Sequence, residues 1–311
     1  MATILIVAPV FALIAAGYAA VLFRFVSETA NKGISEFAFS IAIPALLFRT
    51  VVVSEFPEVN AFSVWGVYYG ALALTWIASL VISRMLRQSR EDGVVFAIGS
   101  VYGNIVMLGI PLTLSALGSQ AAGPMALILS VNTPLLWLIG TLQMAWTERK
   151  EASSAASLVL PIILDLARNP IMIAIGLGLV WRLTGVGLHP VVDRTIELLA
   201  QAGSPTALIA LGINLFRFEV KGAKLGIVVM CVLKLLAMPA IAFALARLAH
   251  LPPIVTGVIV LFAAMPTGAN AYIFAVQYGR LVNPVSGAVA LATLISAVTL
   301  PLVVLLMTAA P

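Results

Sequence analysis

The sequence predicts an all-α membrane protein of ten transmembrane helices, arranged as two inverted five-helix repeats whose fourth and ninth helices are broken. Three observations predict it. Hydrophobic residues make up 62% of the 311 and charged residues 9%, and mean hydropathy is +1.13. That leaves many uncharged stretches long enough to cross a hydrocarbon core of about 30 Å. Second, the chain repeats itself at one constant spacing: Pro9, Gly17, Pro44 and Gly118 return as Pro170, Gly178, Pro205 and Gly279. The Val131-Asn132-Thr133-Pro134-Leu135 segment returns as Val298-Thr299-Leu300-Pro301-Leu302, after a register slip placed in the connection following Gly279. Duplicated membrane units of odd helix count must lie upside down relative to each other, an arrangement common among secondary transporters. Third, matched positions of the two halves carry helix-breaking Gly and Pro clusters.

The ten spans run near residues 4–25, 33–53, 62–83, 93–117, 121–144, 169–183, 192–215, 223–247, 252–278 and 284–307. The first has no basic residue before it and Arg24 after it, so it reads as a retained helix rather than a signal peptide. The sixth is short and holds Trp181 and Arg182, whose charge is expected to snorkel to the interface. The first repeat occupies 1–144 and the second 169–311. Between them, 145–168 forms a cytoplasmic linker with one polar stretch, Thr147-Glu148-Arg149-Lys150-Glu151. Cys231 stands alone, so no intrachain disulfide is available.

Lys and Arg set the orientation. With the N-terminus outside, the inner loops hold Arg24, Lys32, Arg84, Arg87, Arg90, Arg149, Lys150, Arg168, Arg217, Lys221, Lys224 and Arg280. The outer set holds Arg49, Arg182, Arg194 and Arg247. Both termini are therefore expected on the outer side of the cytoplasmic (inner) membrane. The net charge of +5 sits in short loops and calls for no nucleic-acid partner.

The chemistry concentrates in spans four and nine. Gly103-Asn104-Ile105-Val106-Met107-Leu108-Gly109-Ile110-Pro111 and Met265-Pro266-Thr267-Gly268-Ala269-Asn270 combine glycine, proline and an amide near mid-membrane. Proline removes a donor and clashes with the preceding turn, and glycine relaxes the helix. Opened backbone in hydrocarbon is tolerated where it lines a protected polar cavity. Each break also leaves a positive half-helix N-terminus at depth, suited to an anion. Candidate substrate contacts are Gly103, Asn104, Pro111, Pro266, Thr267, Gly268 and Asn270. The bland reading is a pair of kinks with asparagines as interhelical glue; the matched placement favours a site. Gly66 with Gly70, and Gly99 with Gly103, read as helix packing.

Lys234 is the one Lys or Arg deep within a span. It reads as a countercharge for a carboxylate or a fixed cation in place of a coupling ion; the plain alternative is a snorkelling or internally paired lysine. Glu36 and Glu197 are repeat mates near the ends of spans two and seven, either gating and proton-handling groups or ordinary interfacial charges. Catalysis finds no footing. His189 and His250 have no metal-ligand spacing, Asp165 and Asp193 lie in connections, and no zinc-protease, nucleophile-elbow, P-loop or dinucleotide motif appears. No metal or cofactor is called for.

Over essentially its whole length the chain resembles the auxin efflux carrier family, within the wider bile acid/arsenite/riboflavin transporter group. The resemblance is carried by Asn104 through Gly109-Ile110-Pro111-Leu112, Asn169-Pro170, Lys234-Leu235 ahead of Pro239, and Met265-Pro266-Thr267-Gly268-Ala269-Asn270-Ala271. The short linker matches compact prokaryotic members, for which dicarboxylates and related organic anions are the commoner assignments. The resemblance implies an elevator-type carrier: a scaffold of helices 1, 2, 6 and 7, a transport domain of helices 3–5 and 8–10, and helices 4 and 9 crossing. Asn104 and Asn270 would hold a small organic anion at that crossing, Pro44 and Pro205 would sit near the sliding surface, and the scaffold would form a homodimer. Two alternatives stand beside it. One is a sodium-coupled symporter of the bile acid type, with Asn132, Thr133, Gln277 and Thr299 as oxygen ligands. The other is a membrane sensor that binds a metabolite without moving it. The coupling ion, proton or sodium, is left open.

Overall fold

The computed structural model describes residues 2–53, 60–147 and 168–309. Their regular elements are all helical. Helix α1 is Ala2–Leu22. Helix α2 (Glu28–Phe37) passes through a π-turn at Ala38–Ala42 into α3 (Ile43–Val53). Then come α4 (Ala61–Met85), α5 (Arg90–Val101), a π-turn at Ile105–Gly109, α6 (Ile110–Leu117) and α7 (Ala122–Thr147). After the linker follow α8 (Pro170–Leu183), α9 (Pro190–Leu215) and α10 (Lys224–Val232). A π-turn at Leu233–Ala237 leads into α11 (Met238–Leu248). The last three are α12 (Pro253–Ala264), α13 (Ala269–Tyr278) and α14 (Val282–Ala309). Most of the expected linker lies outside the described residues.

Among the described residues seven stretches are long and apolar enough to cross a membrane: Leu5–Leu22, Lys32–Val53, Ala61–Met85, Ser119–Thr147, Pro190–Leu215, Lys224–Leu248 and Val282–Met307. The chain is thus a multi-pass membrane protein. Three shorter apolar helical stretches, Ile105–Leu117, Pro170–Leu183 and Pro253–Ala264, fall where the sequence placed spans four, six and nine. The 12 residues of α12 rise only about 18 Å at 1.5 Å each. Such a helix stops well short of a full crossing.

Proline chemistry sets the irregularities. Pro44, Pro111 and Pro239 each stand two residues beyond a π-turn. A proline ring collides with the carbonyl four residues back and offers no N–H, and a widened turn absorbs both defects. Gly118 and Gly279, the matched glycines of the sequence repeat, both have positive φ (72° and 64°) and end α6 and α13. A side chain there would be strained, so the same punctuation recurs in both halves.

The chain forms two compact units, each drawing on both sequence halves: 1–58 with 106–126 and 164–217, and 59–105 with 127–163 and 218–311. In the first unit α1 packs along α9, and α3 packs on α8 and α9. The approach of α1 to α9 is backbone to backbone. A Cβ at Gly17 would lie 2.2 Å from the Ile209 carbonyl oxygen, and one at Gly212 would lie 2.0 Å from that of Ile14. Small residues permit this contact where lipid offers no hydrophobic drive for helix association. Arg49 on α3 ties the unit to α9, with Nε 2.8 Å from Asp193 Oδ1 and Nη2 3.7 Å from Glu197 Oε1.

In the second unit α4 packs on α5 and α11, and α11 on α12. Aromatic polar handles stitch α4 to α7. Trp65 Nε1 donates to the Leu127 carbonyl at 2.7 Å, Tyr69 Oη to that of Ile128 at 2.9 Å, and Trp76 Nε1 to Gln143 Oε1 at 3.0 Å. Apolar surroundings leave such groups no water, so each finds a protein acceptor. The two expected small-residue motifs differ. Nothing lies within 4 Å of a Cβ placed on Gly66, whereas one on Gly99 would meet Met230 Sδ at 2.6 Å. In the first motif only Gly70 faces a neighbour, Leu245 Cδ1 at 3.4 Å, so the tighter packing falls to the second.

Candidate functional site

The site lies in the second unit, where the breaks after α5 and α12 meet. Helix α5 ends at Val101 and Tyr102 turns extended (φ −75°, ψ 94°). Helix α12 ends at Ala264 and Met265 does the same (φ −59°, ψ 139°). The two extended segments pair antiparallel, Gly103 opposite Thr267. The Asn104 N–H donates to the Pro266 carbonyl, and the Gly268 N–H to the Tyr102 carbonyl, both at 2.8 Å. Backbone groups released by one break therefore satisfy those released by the other, as burial without water demands. Thr267 adds a bond from its hydroxyl to the Gly99 carbonyl at 2.9 Å.

Glycine keeps this pairing close. A Cβ on Gly268 would stand 3.1 Å from the Gly103 carbonyl oxygen and 3.2 Å from the Asn104 Cα. One on Gly103 would stand 3.1 Å from Lys234 Cε. Asn270 follows in the first turn of α13, and its Nδ2 donates to the Tyr102 hydroxyl at 3.0 Å. That hydroxyl donates onward to Thr133 Oγ1 at 3.0 Å. A polar chain thus runs from the break in α12–α13 to the middle of α7.

Gly103, Asn104, Lys234, Pro266, Thr267, Gly268 and Asn270 all belong to this unit, and all but Asn270 are buried. Lys234 Nζ donates to the Ala263 carbonyl and to Met238 Sδ. Pro111 is the buried second residue of α6, in the first unit. Thr133 joins the polar chain through Tyr102. Its neighbour Asn132 is 1% exposed, and neither amide atom has a hydrogen-bond partner. The buried Thr299 hydroxyl on α14 is likewise unpartnered, while Gln277 is exposed on α13. Glu36 is exposed on α2, 3.8 Å from Lys32 one turn away. Glu197 meets Arg194 Nη1 at 2.8 Å.

Two features escaped the sequence reading. Tyr102 organises the polar chain, and its only signal was an aromatic hydroxyl directly before the first glycine of the break. Asp193, expected in a connection, lies in the first turn of α9 and pairs with Arg49, which the charge count had treated as a loop residue. Asp165 lies outside the described residues.

A broken, apolar helix pair whose extended segments seal each other, inside a multi-pass bundle, has the construction of a membrane carrier. Residues 3–304 match the profile of the family described as membrane transport protein, the auxin efflux carriers. The chain belongs to that family. It is 27% identical over 298 residues to a Rhizobium meliloti (strain 1021) protein named "Putative malonate transporter", covering 94% of this chain and 92% of that one. It is 23% identical over 310 residues to the Mus musculus "Lysosomal cholesterol signaling protein", covering 92% of this chain and 35% of that protein. The chain therefore spans about a third of the mouse protein.

Proposed function

We propose that the protein is a secondary active transporter of small organic anions, with dicarboxylates of the malonate type as the first candidates. The anion binds beside the paired breaks, with Asn104 and Asn270 as amide ligands and the first-turn N–H groups of α13 facing its charge. The single observation that carries this reading is the backbone pairing of Gly103 with Thr267, which holds two opened helices at one place. Gly268 caps α13 with no side-chain hydrogen bond, so an anion has first-turn donors to meet. The similarity to the Rhizobium protein supports the substrate class.

The finer architecture belongs to the same proposal. Ten spans form two inverted repeats, with helices 1, 2, 6 and 7 as scaffold and helices 3–5 and 8–10 as the moving part. Substrate crosses by elevator-type alternating access, and two copies associate through the scaffold with both termini outside the cytoplasmic membrane. The grouping of helices 1, 2, 6 and 7 into one compact unit supports the scaffold, whereas 106–126, from helices 4 and 5, falls in that same unit rather than with the rest of the moving part.

The test is counterflow of labelled malonate in proteoliposomes. A carrier accumulates label against unlabelled malonate inside; a sensor that only binds does not. A second reading, the sodium-coupled symporter, draws on Asn132 and Thr299, whose buried, unpartnered polar atoms are the kind a cation would satisfy. Replacing sodium with choline in the same assay separates the two.

A further inference from the structure

Lys234 lies fully buried in the π-turn between α10 and α11. Its ammonium donates to the carbonyl of Ala263, in the last turn of α12, and to Met238 Sδ at 3.4 Å. Its Nζ stands 3.2 Å from where a Gly103 Cβ would be, so it also sits flush against the extended segment after α5. Among the described residues no carboxylate pairs with it.

An ammonium buried without an anionic partner is costly, and something in its surroundings must offset it. That something is the carbonyl end of a helix. The ladder of α12 stops at Pro266, which has no N–H, so the last carbonyls lose their intrahelical donors and carry the negative end of the helix dipole. Carbonyl ends of broken membrane helices are also where a desolvated sodium ion would be held, because hard cations take oxygen ligands.

We propose that Lys234 is a built-in cation of the crossing: its tethered ammonium holds the Ala263 carbonyl and braces Gly103, in place of a mobile cation drawn from solution. This rests on reading the crossing as an anion site and adds that the anion is bound without sodium. Lys234 is a positioning residue here, since its donors face backbone and a thioether rather than the substrate. Glycine at 103 leaves room for the lysine, because a methyl there would stand 3.1 Å from its Cε and 3.2 Å from its Nζ and displace it by a few tenths of an ångström.

Melting of the purified protein in sodium chloride and in choline chloride reads the proposal without reference to transport. The wild type is expected to melt at the same temperature in both salts. Lys234→Met should lose several degrees in choline and regain most of that loss in sodium, whereas Lys234→Arg, which keeps the charge, should show no preference between salts. Gly103→Ala keeps the lysine but displaces it, and it serves where Lys234→Met does not fold; it too should acquire a sodium preference. Sodium preference in either neutralised or displaced variant, with an indifferent wild type, sustains the proposal. A wild type that itself melts higher in sodium overturns it, and so do Lys234→Met and Gly103→Ala that both melt alike in the two salts. Malonate counterflow run in parallel keeps the readings apart. Absence of counterflow in the wild type sinks the carrier function alone, while counterflow that needs sodium overturns the built-in cation alone.

Discussion

The backbone N–H of Asn104 donates to the carbonyl of Pro266 at 2.8 Å, joining the break of one helix to the break of another far along the chain. Together with the Gly268 to Tyr102 bond it locks the ends of α5 and α12 into a two-residue antiparallel patch. The patch pairs two of the backbone donors that the breaks release inside an apolar bundle. Within the same patch the Asn270 side chain donates to the Tyr102 hydroxyl.

The patch predicts that Gly268→Val is destabilising. Its Cβ would press on the Gly103 carbonyl oxygen at 3.1 Å, a backbone atom that cannot turn away. Overpacking of this kind costs about 1–3 kcal/mol, and the variant should melt several degrees lower. Gly66→Ala is the control: nothing lies within 4 Å of its Cβ, so its melting temperature should hold or rise slightly.

Tyr102 and Asn270 should be energetically coupled. Tyr102→Phe leaves the Asn270 amide and the Thr133 hydroxyl each short of a partner, at a cost of about 1–3 kcal/mol. A double-mutant cycle with Asn270→Ala, scored by melting, should return a coupling of about 0.5 kcal/mol or more. Strict additivity would show that the hydrogen bond contributes nothing.

The pairing of α1 with α9 tolerates no side chain at Gly17 or Gly212. Gly212→Leu places a Cβ 2.0 Å from the Ile14 carbonyl oxygen and should prevent recovery of a monodisperse protein in detergent. Normal yield and melting of that variant would contradict the described packing of the first unit.

The carboxylate repeat mates should behave unlike each other. Glu36 is 65% exposed and, among the described residues, pairs with Lys32 one turn away, so Glu36→Gln should leave counterflow and melting unchanged. Glu197 shares Arg49 with Asp193 across two helices, and Glu197→Gln should lower stability by up to about 1 kcal/mol, less at high salt. Loss of transport in Glu36→Gln would restore a gating role that its surroundings give no reason to expect.

Much of this was legible in the sequence because proline and glycine act locally. Pro111 and Pro266 announce breaks without knowledge of any neighbour, and Gly118 and Gly279 announce helix ends. The meeting of the breaks is a tertiary matter: nothing local says that Gly103 faces Thr267, or that Tyr102 is the hub between Asn270 and Thr133. Lys234 shows the limit most clearly. Its depth was readable from the apolar run around it, but its partner, a backbone carbonyl of Ala263, carries no side-chain signature. Asp193 was misplaced for a related reason: a carboxylate three residues into an apolar helix looks like a loop residue until Arg49 is seen beside it.

The central claim is that the place where the two breaks meet in the second unit holds a small organic anion through Asn270. The most direct measurement is the rise in melting temperature of purified protein with added malonate, for wild type and for Asn270→Asp. Selective binding to the folded state raises apparent stability by mass action. The account predicts a saturable rise for the wild type, and for Asn270→Asp a lowered melting temperature without malonate, since a carboxylate cannot donate to the Tyr102 hydroxyl, and no rise with it, since the new carboxylate repels the anion. An Asn270→Asp protein that responds to malonate as the wild type does would contradict it.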